Sequence, residues 1–315
     1  MLEYNDAPHP EGQCRLTIII PAWNYASRLS SSLATIMAQL TNDSELIVVD
    51  DGSSDGTLAM LAAYPVPEGL RAVYVTQSNQ GPAAARNRAI NLASGQWVMP
   101  LDADDELCPQ VIAAVEATLH TRPDAELIVG GHQAVDLKGR LRCKPFVPIP
   151  EGRQQRLHDY LLSGRISMVH GACVFKRAFL QANPYAESLR QGEDMPVFAS
   201  ALLLQHIVVL PTMMVTITKH GDSLRHDADV AVKQGLLVAD IIFSRLPGEF
   251  AHLYPRFAAQ RALSVFRRCY RAKSFDLADS FYRQAWSLSW RQALRWDYLS
   301  KWIRLQAIAL FRISP

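Results

Sequence analysis

The chain has 315 residues, 49% apolar and 20% charged, with a formal net charge of +2, which suits one or two globular domains and excludes a disordered or fibrous chain. Its five cysteines (Cys14, Cys108, Cys143, Cys173 and Cys269) form no Cys-x-x-Cys pair, so no zinc site or disulfide framework is indicated and isolated buried thiols are expected. With no basic-then-apolar leader and no apolar run near the roughly 18 residues that cross a bilayer, a cytoplasmic protein, at most peripheral to a membrane, is expected.

The first element is a buried strand over Arg15–Pro21, a β-branched run stopped by proline. Leu29, Leu33, Ile36, Met37 and Leu40 then recur at helical spacing within Ser27–Leu40. A second buried strand, Glu45–Asp50, precedes Asp55, which can cap a helix over Thr57–Ala63. A third strand, Ala72–Val75, leads through Asn79-Gln80-Gly81 to a helix over Ala83–Ala93 with Pro82 in its first turn. Ser94-Gly95 ends that helix, and a fourth strand runs over Gln96–Leu101. Strands alternating with helices predict parallel βαβ units in an α/β fold, with function at the carboxyl ends of the strands. Each of the four strands ends in a polar cluster: Pro21-Ala22-Trp23-Asn24, Asp50-Asp51-Gly52-Ser53, Asn79-Gln80-Gly81 and Asp102-Ala103-Asp104-Asp105. Parallel pairing would bring all four to one rim.

The last cluster is the densest, because Asp102, Asp104, Asp105 and Glu106 fall within five positions. Crowded carboxylates stay ionised most easily around a cation, and oxygen ligands suit Mg²⁺ or Mn²⁺. Asp104 or Asp105 could instead cap a helix running from Val111 to Leu119. Further on, strands are predicted over Glu126–Ala134, Ser167–Phe175 and Ile207–Thr218, and helices over Gln154–Leu162 and Met195–Leu204. From Asp227 the pattern is almost wholly helical, which suggests two regions, 1–225 and 226–315.

With these clusters placed, the chain resembles the family-2 glycosyltransferases of GT-A fold over about residues 15–225. The resemblance rests on Pro21-Ala22-Trp23-Asn24-Tyr25, on Val49-Asp50-Asp51-Gly52-Ser53-Ser54-Asp55-Gly56-Thr57, and on Asn79-Gln80-Gly81 with Ala85-Arg86-Asn87. It continues with the Asp-x-Asp at Asp102-Ala103-Asp104, with Glu193-Asp194, and with His220 and Ser223. One departure is that Arg88-Ala89 follow Asn87, where the family often has glycine. The resemblance implies a Rossmann-like mixed sheet flanked by helices, and transfer of a sugar from a nucleotide-diphosphate donor to an acceptor hydroxyl with inversion.

In that resemblance Asp51 faces the nucleotide base, the Pro21 backbone lies beside it, and Asp102 reaches toward the ribose. Asn24 and Asn79 belong to the same donor side. Arg86 is either structural or directed at phosphate, which the sequence does not separate. Asp104 is the expected ligand of Mg²⁺ or Mn²⁺, with His220 as a second. Inversion requires a carboxylate to take the acceptor's proton, and Asp194, supported by Glu193, is the expected base. The same pair could simply favour the positive end of the helix that follows. The partners implied are a nucleotide-diphospho-sugar and a glycan or lipid-linked acceptor, in the synthesis of a cell-surface polysaccharide, lipopolysaccharide or capsule. A nucleotidyltransferase would need a glycine- and lysine- or arginine-rich phosphate loop after the first strand, and Pro21–Ser27 contains none. A non-catalytic nucleotide-sugar-binding module would be expected to lack the metal carboxylates or the base.

Charge sets the C-terminal region apart. From Ala251 onward 12 Lys/Arg face only Asp276, Asp279 and Asp297, a balance of +9, against −7 for the first 250 residues. These basic residues are interspersed with Trp286, Trp290, Trp296 and Trp302. On a helical wheel the first three share one side and Trp302 points elsewhere. An anionic membrane surface, reached on the inner face of the plasma membrane, suits that composition. Packing of the tryptophans into a helical core would also account for it, and no nucleic-acid partner is expected.

Overall fold

The β-branched runs identified above lie side by side as parallel strands. The structure, a computed structural model, describes residues 15–146, 148–218 and 228–312. The strands are β1 Leu16–Ala22, β2 Ser44–Asp50, β3 Arg71–Thr76, β4 Trp97–Pro100, β5 Asp105–Leu107, β6 Leu127–Val135, β7 Leu141–Lys144, β8 Cys173–Lys176 and β9 Ile207–Thr218. They form one mixed sheet in the order β3-β2-β1-β4-β8-β6-β9-β5, with β7 paired to β6. The β3-β2-β1-β4 half is parallel, whereas β4–β8 and β8–β6 are antiparallel. Ala22 is in register with Asp50, and Asp50 with Thr76, so these strand ends are level. Chain order reverses at β1, between β2 and β4, and a crevice at the carboxyl ends of strands at such a switch point is where ligands bind.

The helices over the sheet are α1 Leu29–Met37, α2 Thr57–Ala63, α3 Pro82–Leu92, α4 Val111–Thr121, α5 Arg153–His158, α6 Arg177–Ala182 and α7 Asp194–Ala201. Those that follow are α8 Ala228–Gln234, α9 Leu237–Arg245, α10 Tyr254–Arg271, α11 Phe275–Leu288, α12 Trp290–Ala293 and α13 Trp296–Arg312. Alternation along the strands divides the core into two layers. Ile19, Ile47, Val49 and Val98 face the layer built from α3, α7 and α9. Ile18, Ile20, Val48 and Met99 face the layer built from α1 and α4. The helical C-terminal region is therefore not a separate body along its whole length. Val238, Ile242, Phe257 and Ala258 belong to the sheet's own core. Phe266, Tyr282, Ala285 and Leu305 form a third cluster with α11 and α13.

Several expected elements are corrected. Asp105 does not cap a helix: it opens β5 and pairs with Ile217 of β9. Helix α4 starts beyond Gln110, a residue in the left-handed region (φ 62°), and its first amide, of Val111, donates to Gln39 Oε1 at 2.8 Å. The strand expected over Ser167–Phe175 survives only as β8, because Gly171 takes φ +75°, which no strand adopts. The helix expected over Gln154–Leu162 becomes α5 and then a π-turn at Asp159–Ser163. Cys108, Cys173 and Cys269 are buried thiols, whereas Cys143 is exposed on β7. The tryptophans divide: Trp302 stacks on Tyr282 at 4.8 Å and donates through Nε1 to Asp279, whereas Trp286, Trp290 and Trp296 are 45%, 53% and 72% exposed. Among the described residues no helix is long and apolar enough to cross a membrane.

Candidate active site

The polar clusters do meet at one rim, and each is tied to its neighbour. After β1 the chain turns at Asn24, whose φ of 59° places it in the left-handed region that asparagine tolerates. The Asn24 amide donates to Ser53 Oγ at 2.9 Å, and its Oδ1 accepts the Ser54 amide at 2.8 Å. Asp55 accepts the Thr57 amide and hydroxyl through Oδ1, and the Ala26 amide through Oδ2. It thus holds the start of α2 against the loop after β1. Pro21 is half-buried beside Val49, and Trp23 stands 47% exposed at the rim.

Asp51 is 2% exposed and its carboxylate is turned toward the loop after β3. Oδ1 accepts Gln77 Nε2 at 2.8 Å and the Gln80 amide at 2.9 Å, and Oδ2 accepts the Gly81 amide at 2.7 Å. A carboxylate has about four lone-pair sites, so three are taken by protein donors. Asp50 is held similarly by the Thr76 hydroxyl at 3.0 Å. Asn79 is exposed, and its backbone packs on Gly52, where a Cβ would lie 2.9 Å from the Asn79 amide nitrogen. Gly81 takes φ +96°, and a Cβ there would collide with the Arg190 guanidinium that covers it.

The Asp-x-Asp segment is a tight turn closed by the Asp105 amide donating to the Asp102 carbonyl at 3.1 Å. Ala103 and Asp105 point inward, 2% and 4% exposed, and Ser32 of α1 donates to the Ala103 carbonyl at 2.9 Å. Asp102 and Asp104 alternate with them and are half-buried.

Behind this turn Arg86, 4% exposed on α3, bridges two carboxylates. Nη2 meets Asp102 Oδ1 at 2.7 Å and Nη1 meets Glu193 Oε1 at 2.8 Å. Its guanidinium also lies 5.4 Å over the Tyr185 ring. The next residue, Asn87, accepts the Tyr185 amide and donates to the Tyr185 carbonyl, both at 2.9 Å. The Arg-Asn pair thus fastens the Tyr185 segment and the Asp-x-Asp turn to one helix.

His170 and Tyr185 complete this network, and sequence reasoning missed both. His170 Nδ1 lies 3.2 Å from Asp102 Oδ1, its Nε2 lies 3.2 Å from the Tyr185 hydroxyl, and its ring meets Phe198 edge-on at 5.4 Å. A glycine inside an apparent strand, Gly171, was the available signal of close backbone approach. There the Gly171 amide donates to the Pro100 carbonyl at 2.5 Å, and a Cβ would lie 2.7 Å from Leu101 Cδ1. Arg86 and His170 both engage Oδ1 of Asp102, so among the described residues Oδ2 of this 36%-exposed side chain has no protein donor. Burial would raise the Asp102 carboxyl, but His170 and Arg86 outweigh it and hold it well below the usual carboxylate range. Burial likewise disfavours the Arg86 charge, yet Asp102 and Glu193 drive the guanidinium well above its ordinary value.

Glu193 and Asp194 separate at this point. Glu193 is neutralised by Arg86. Asp194, the half-buried first residue of α7, has no hydrogen bond or ion pair among the described residues. Burial pushes its carboxyl up, and the Glu193 charge pushes further, against the opposing pull of His170 and Arg86. The positive end of α7 favours the ionised form, but burial prevails. The Asp194 charge is felt by Tyr160, Cys173 and Tyr185, all raised chiefly by burial, with the Cys173 thiol reaching about 12. Tyr160 comes from the π-turn, a local irregularity that often marks functional sites. From α10 comes Arg261: burial lowers its guanidinium, and the Asp194 carboxylate partly restores it.

His220 and Ser223 lie outside the described residues. Among the described residues no three His, Cys, Asp or Glu side chains are grouped as a metal cage.

Residues 17–182, just over half of the chain, match the family model of glycosyl transferase family 2. The chain belongs to this family. It is 31% identical over 199 residues to the succinoglycan biosynthesis protein ExoO of Rhizobium meliloti, covering 59% of this chain and 55% of that protein. It is 36% identical over 115 residues to a PGL/p-HBAD biosynthesis glycosyltransferase of Mycobacterium bovis, covering 36% of this chain and 45% of that protein. The chain thus spans about half the length of the curated relatives it matches. Among solved structures, S. aureus TarS in complex with UDP-GlcNAc superposes with a TM-score of 0.60 at 20% identity, covering 86% of this chain and 81% of that one. The mannosyltransferase PcManGT of Pyrobaculum calidifontis, in complex with GDP-Man and Mn²⁺, gives 0.55 at 15% identity over 98% and 90%. These likenesses establish the GT-A fold of this glycosyltransferase-family chain.

Proposed function

We propose that this chain transfers a sugar from a nucleoside-diphosphate donor to an acceptor hydroxyl with inversion, in building a cell-surface polysaccharide or glycolipid. The observation that carries the proposal is the division of labour in Glu193-Asp194. One carboxylate is neutralised by Arg86, and the other is raised and without a partner among the described residues, within electrostatic reach of Asp102 and His170. A carboxylate whose proton affinity is raised is suited to take a hydroxyl proton. In the step proposed, the acceptor oxygen attacks the anomeric carbon from the face opposite the leaving group. Its proton passes to Asp194, and the bond from the anomeric carbon to the diphosphate oxygen breaks with its electron pair leaving on the nucleoside diphosphate.

The donor lies along the rim. Asp102 Oδ2 is turned to the ribose, and Trp23 with the Pro21 backbone offers a flat wall to the base. Asn24, Asp51 and Asn79 shape the same cleft. Arg86 orients Asp102 and Glu193 instead of meeting phosphate. A hard cation such as Mg²⁺ or Mn²⁺ needs only one or two carboxylates where substrate phosphates complete its shell. The half-buried pair on the Asp102–Asp105 turn fits that requirement, and Asp104, with His220, would hold the ion. When bound, the ion would neutralise charge on the departing diphosphate. The resemblance to proteins of succinoglycan and PGL/p-HBAD biosynthesis supports a glycan or lipid-linked acceptor. Residues 1–225 would meet it, with the basic, tryptophan-bearing region 226–315 beside the membrane.

The test is hydrolysis and thermal shift across UDP-, GDP- and dTDP-sugars, each with Mn²⁺, Mg²⁺ or EDTA. Stabilisation by one nucleotide class, with metal-dependent turnover that Asp104→Asn removes, is the expected result. Full turnover in EDTA would remove the metal from the reading. No binding of any nucleotide sugar would remove the enzyme.

A further inference from the structure

Between Trp286 and Trp296 the chain carries four large apolar side chains that are at least two-fifths exposed: Trp286, Trp290, Leu294 and Trp296. They occupy the corner where α11 passes through the short α12 into α13. Isolated exposed apolar residues need no explanation, but a cluster of this kind marks a contact surface. Loose packing does not account for it. The Tyr282 hydroxyl donates to the Ala293 carbonyl at 3.0 Å, Ala293 is fully buried, and Trp302 stacks on Tyr282 from the inside. The corner is therefore held from within while its tryptophans are held outward.

The composition around it identifies the partner. From Arg283 to Arg304 there are five cations (Arg283, Arg291, Arg295, Lys301 and Arg304) and one acid, Asp297. Arg283 is taken up by Asp279. Arg291 lies over the Trp290 ring at 5.2 Å, which sets a guanidinium beside an exposed indole. Tryptophan is the side chain that settles at the level of lipid headgroups, its ring among the first methylenes and its N–H toward water. Arginine at the same depth meets lipid phosphate.

We infer that the α11–α12–α13 corner is a docking surface for an anionic lipid bilayer, with Trp286, Trp290, Leu294 and Trp296 entering the interface and Arg291 and Arg295 facing the headgroups. This deepens the membrane element of the proposed function and is independent of its chemistry. A membrane-held α11–α13 would present the crevice to lipid-linked acceptors, since α10 runs from the corner's core to Arg261 behind Asp194.

The experiment is sedimentation of the full chain with sucrose-loaded vesicles of phosphatidylcholine alone or mixed with phosphatidylglycerol, at low and high salt. Binding is expected to mixed vesicles and to weaken in high salt, as screening requires. The combined variant W286A/W290A/W296A is expected to stop sedimenting with vesicles. R291Q/R295Q, which leaves the apolar cluster in place, is expected to lower the partition coefficient by roughly fivefold for each arginine removed. Nucleotide-sugar binding by the same samples shows that they are folded and is expected to be unchanged, so a failed donor screen and a failed lipid test are separate results. Wild-type protein that ignores mixed vesicles would overturn the inference, and so would undiminished binding by both variants. A wild-type dimer in analytical ultracentrifugation that the tryptophan variant dissolves, without lipid binding, would assign the corner to a second copy instead.

Discussion

Arg86→Met tests whether the Arg86 bridge organises the site. The substitution keeps the aliphatic stem and removes the charge that lies 2.7 Å from Asp102 and 2.8 Å from Glu193. Breaking a buried ion pair by removing one partner costs about 3–5 kcal/mol, because the remaining charge is left without compensation. Here the Arg86 side chain is 5% exposed and Glu193 13%, but Asp102 is 36% exposed and water relieves part of its burden. The lower end, about 3 kcal/mol, is therefore expected. At roughly 2–4 °C per kcal/mol for a chain of this size, the melting temperature falls by about 6–12 °C. The pH dependence separates this from a mere packing loss. The Asp102 carboxyl is depressed in the folded chain, so the stability it contributes is present above the unfolded value near 4 and disappears as pH falls through the lower folded value. Arg86→Met lacks the Arg86 share of that contribution while His170 keeps its own, so the deficit is largest at neutral pH and narrows as pH falls below about 4. Calorimetric melts of both proteins across that range provide the measurement. A deficit under about 1 kcal/mol, or one that does not change with pH, would refute the reasoning.

Three other outcomes are expected. Asp194→Asn should lower kcat by about 10²- to 10⁴-fold at unchanged donor Kd; because a raised carboxyl costs stability once ionised, it should also raise the melting temperature at neutral pH, a gain that vanishes in acid. Asp51→Asn should leave a buried donor such as the Gly81 amide badly paired, costing about 1–3 kcal/mol as well as donor affinity, whereas a residue serving only the base would change Kd without moving the melt. Gly171→Ala should cost more than Gly139→Ala in denaturant melts: both sit at φ near +75°, where a side chain costs about 1–2 kcal/mol, but only at Gly171 would the Cβ also meet Leu101 and Val215. Equal losses at the two glycines would show that the His170 loop yields without strain.

Much of the fold was legible because the information is local. Ile18-Ile19-Ile20 and Leu46-Ile47-Val48-Val49 are too short and β-branched for helices, and their spacing around Ser27–Leu40 leaves only a parallel crossover. The four polar clusters followed from this, since strands of one direction deliver their ends to one edge. Asp51, Asp102 and Asp104 are therefore legible in the sequence, whereas the Glu193-Asp194 pair follows from the family resemblance. The helical-wheel separation of Trp302 from the other three C-terminal tryptophans assumes one continuous helix; Trp286, Trp290 and Trp296 instead lie on three successive helices, and packing on Tyr282 and Asp279 is what sets Trp302 apart.

What tertiary structure decided is which charges meet. Arg86 and Glu193 are 107 residues apart, and His170 stands 68 residues from Asp102. No local pattern distinguishes a phosphate-binding arginine from one that bridges two carboxylates. The fate of Asp51 likewise depended on the loop from Gln77 to Gly81 closing over it, and that of Asp105 on β9 arriving beside it. Contact with Arg86 makes Glu193 an anchor, whereas its neighbour Asp194 lacks that ion pair and is raised by burial and by Glu193. Sequence carries the identity and phase of each side chain, but the proton affinity and orientation of a buried charge depend on neighbours that folding alone brings within a few ångströms.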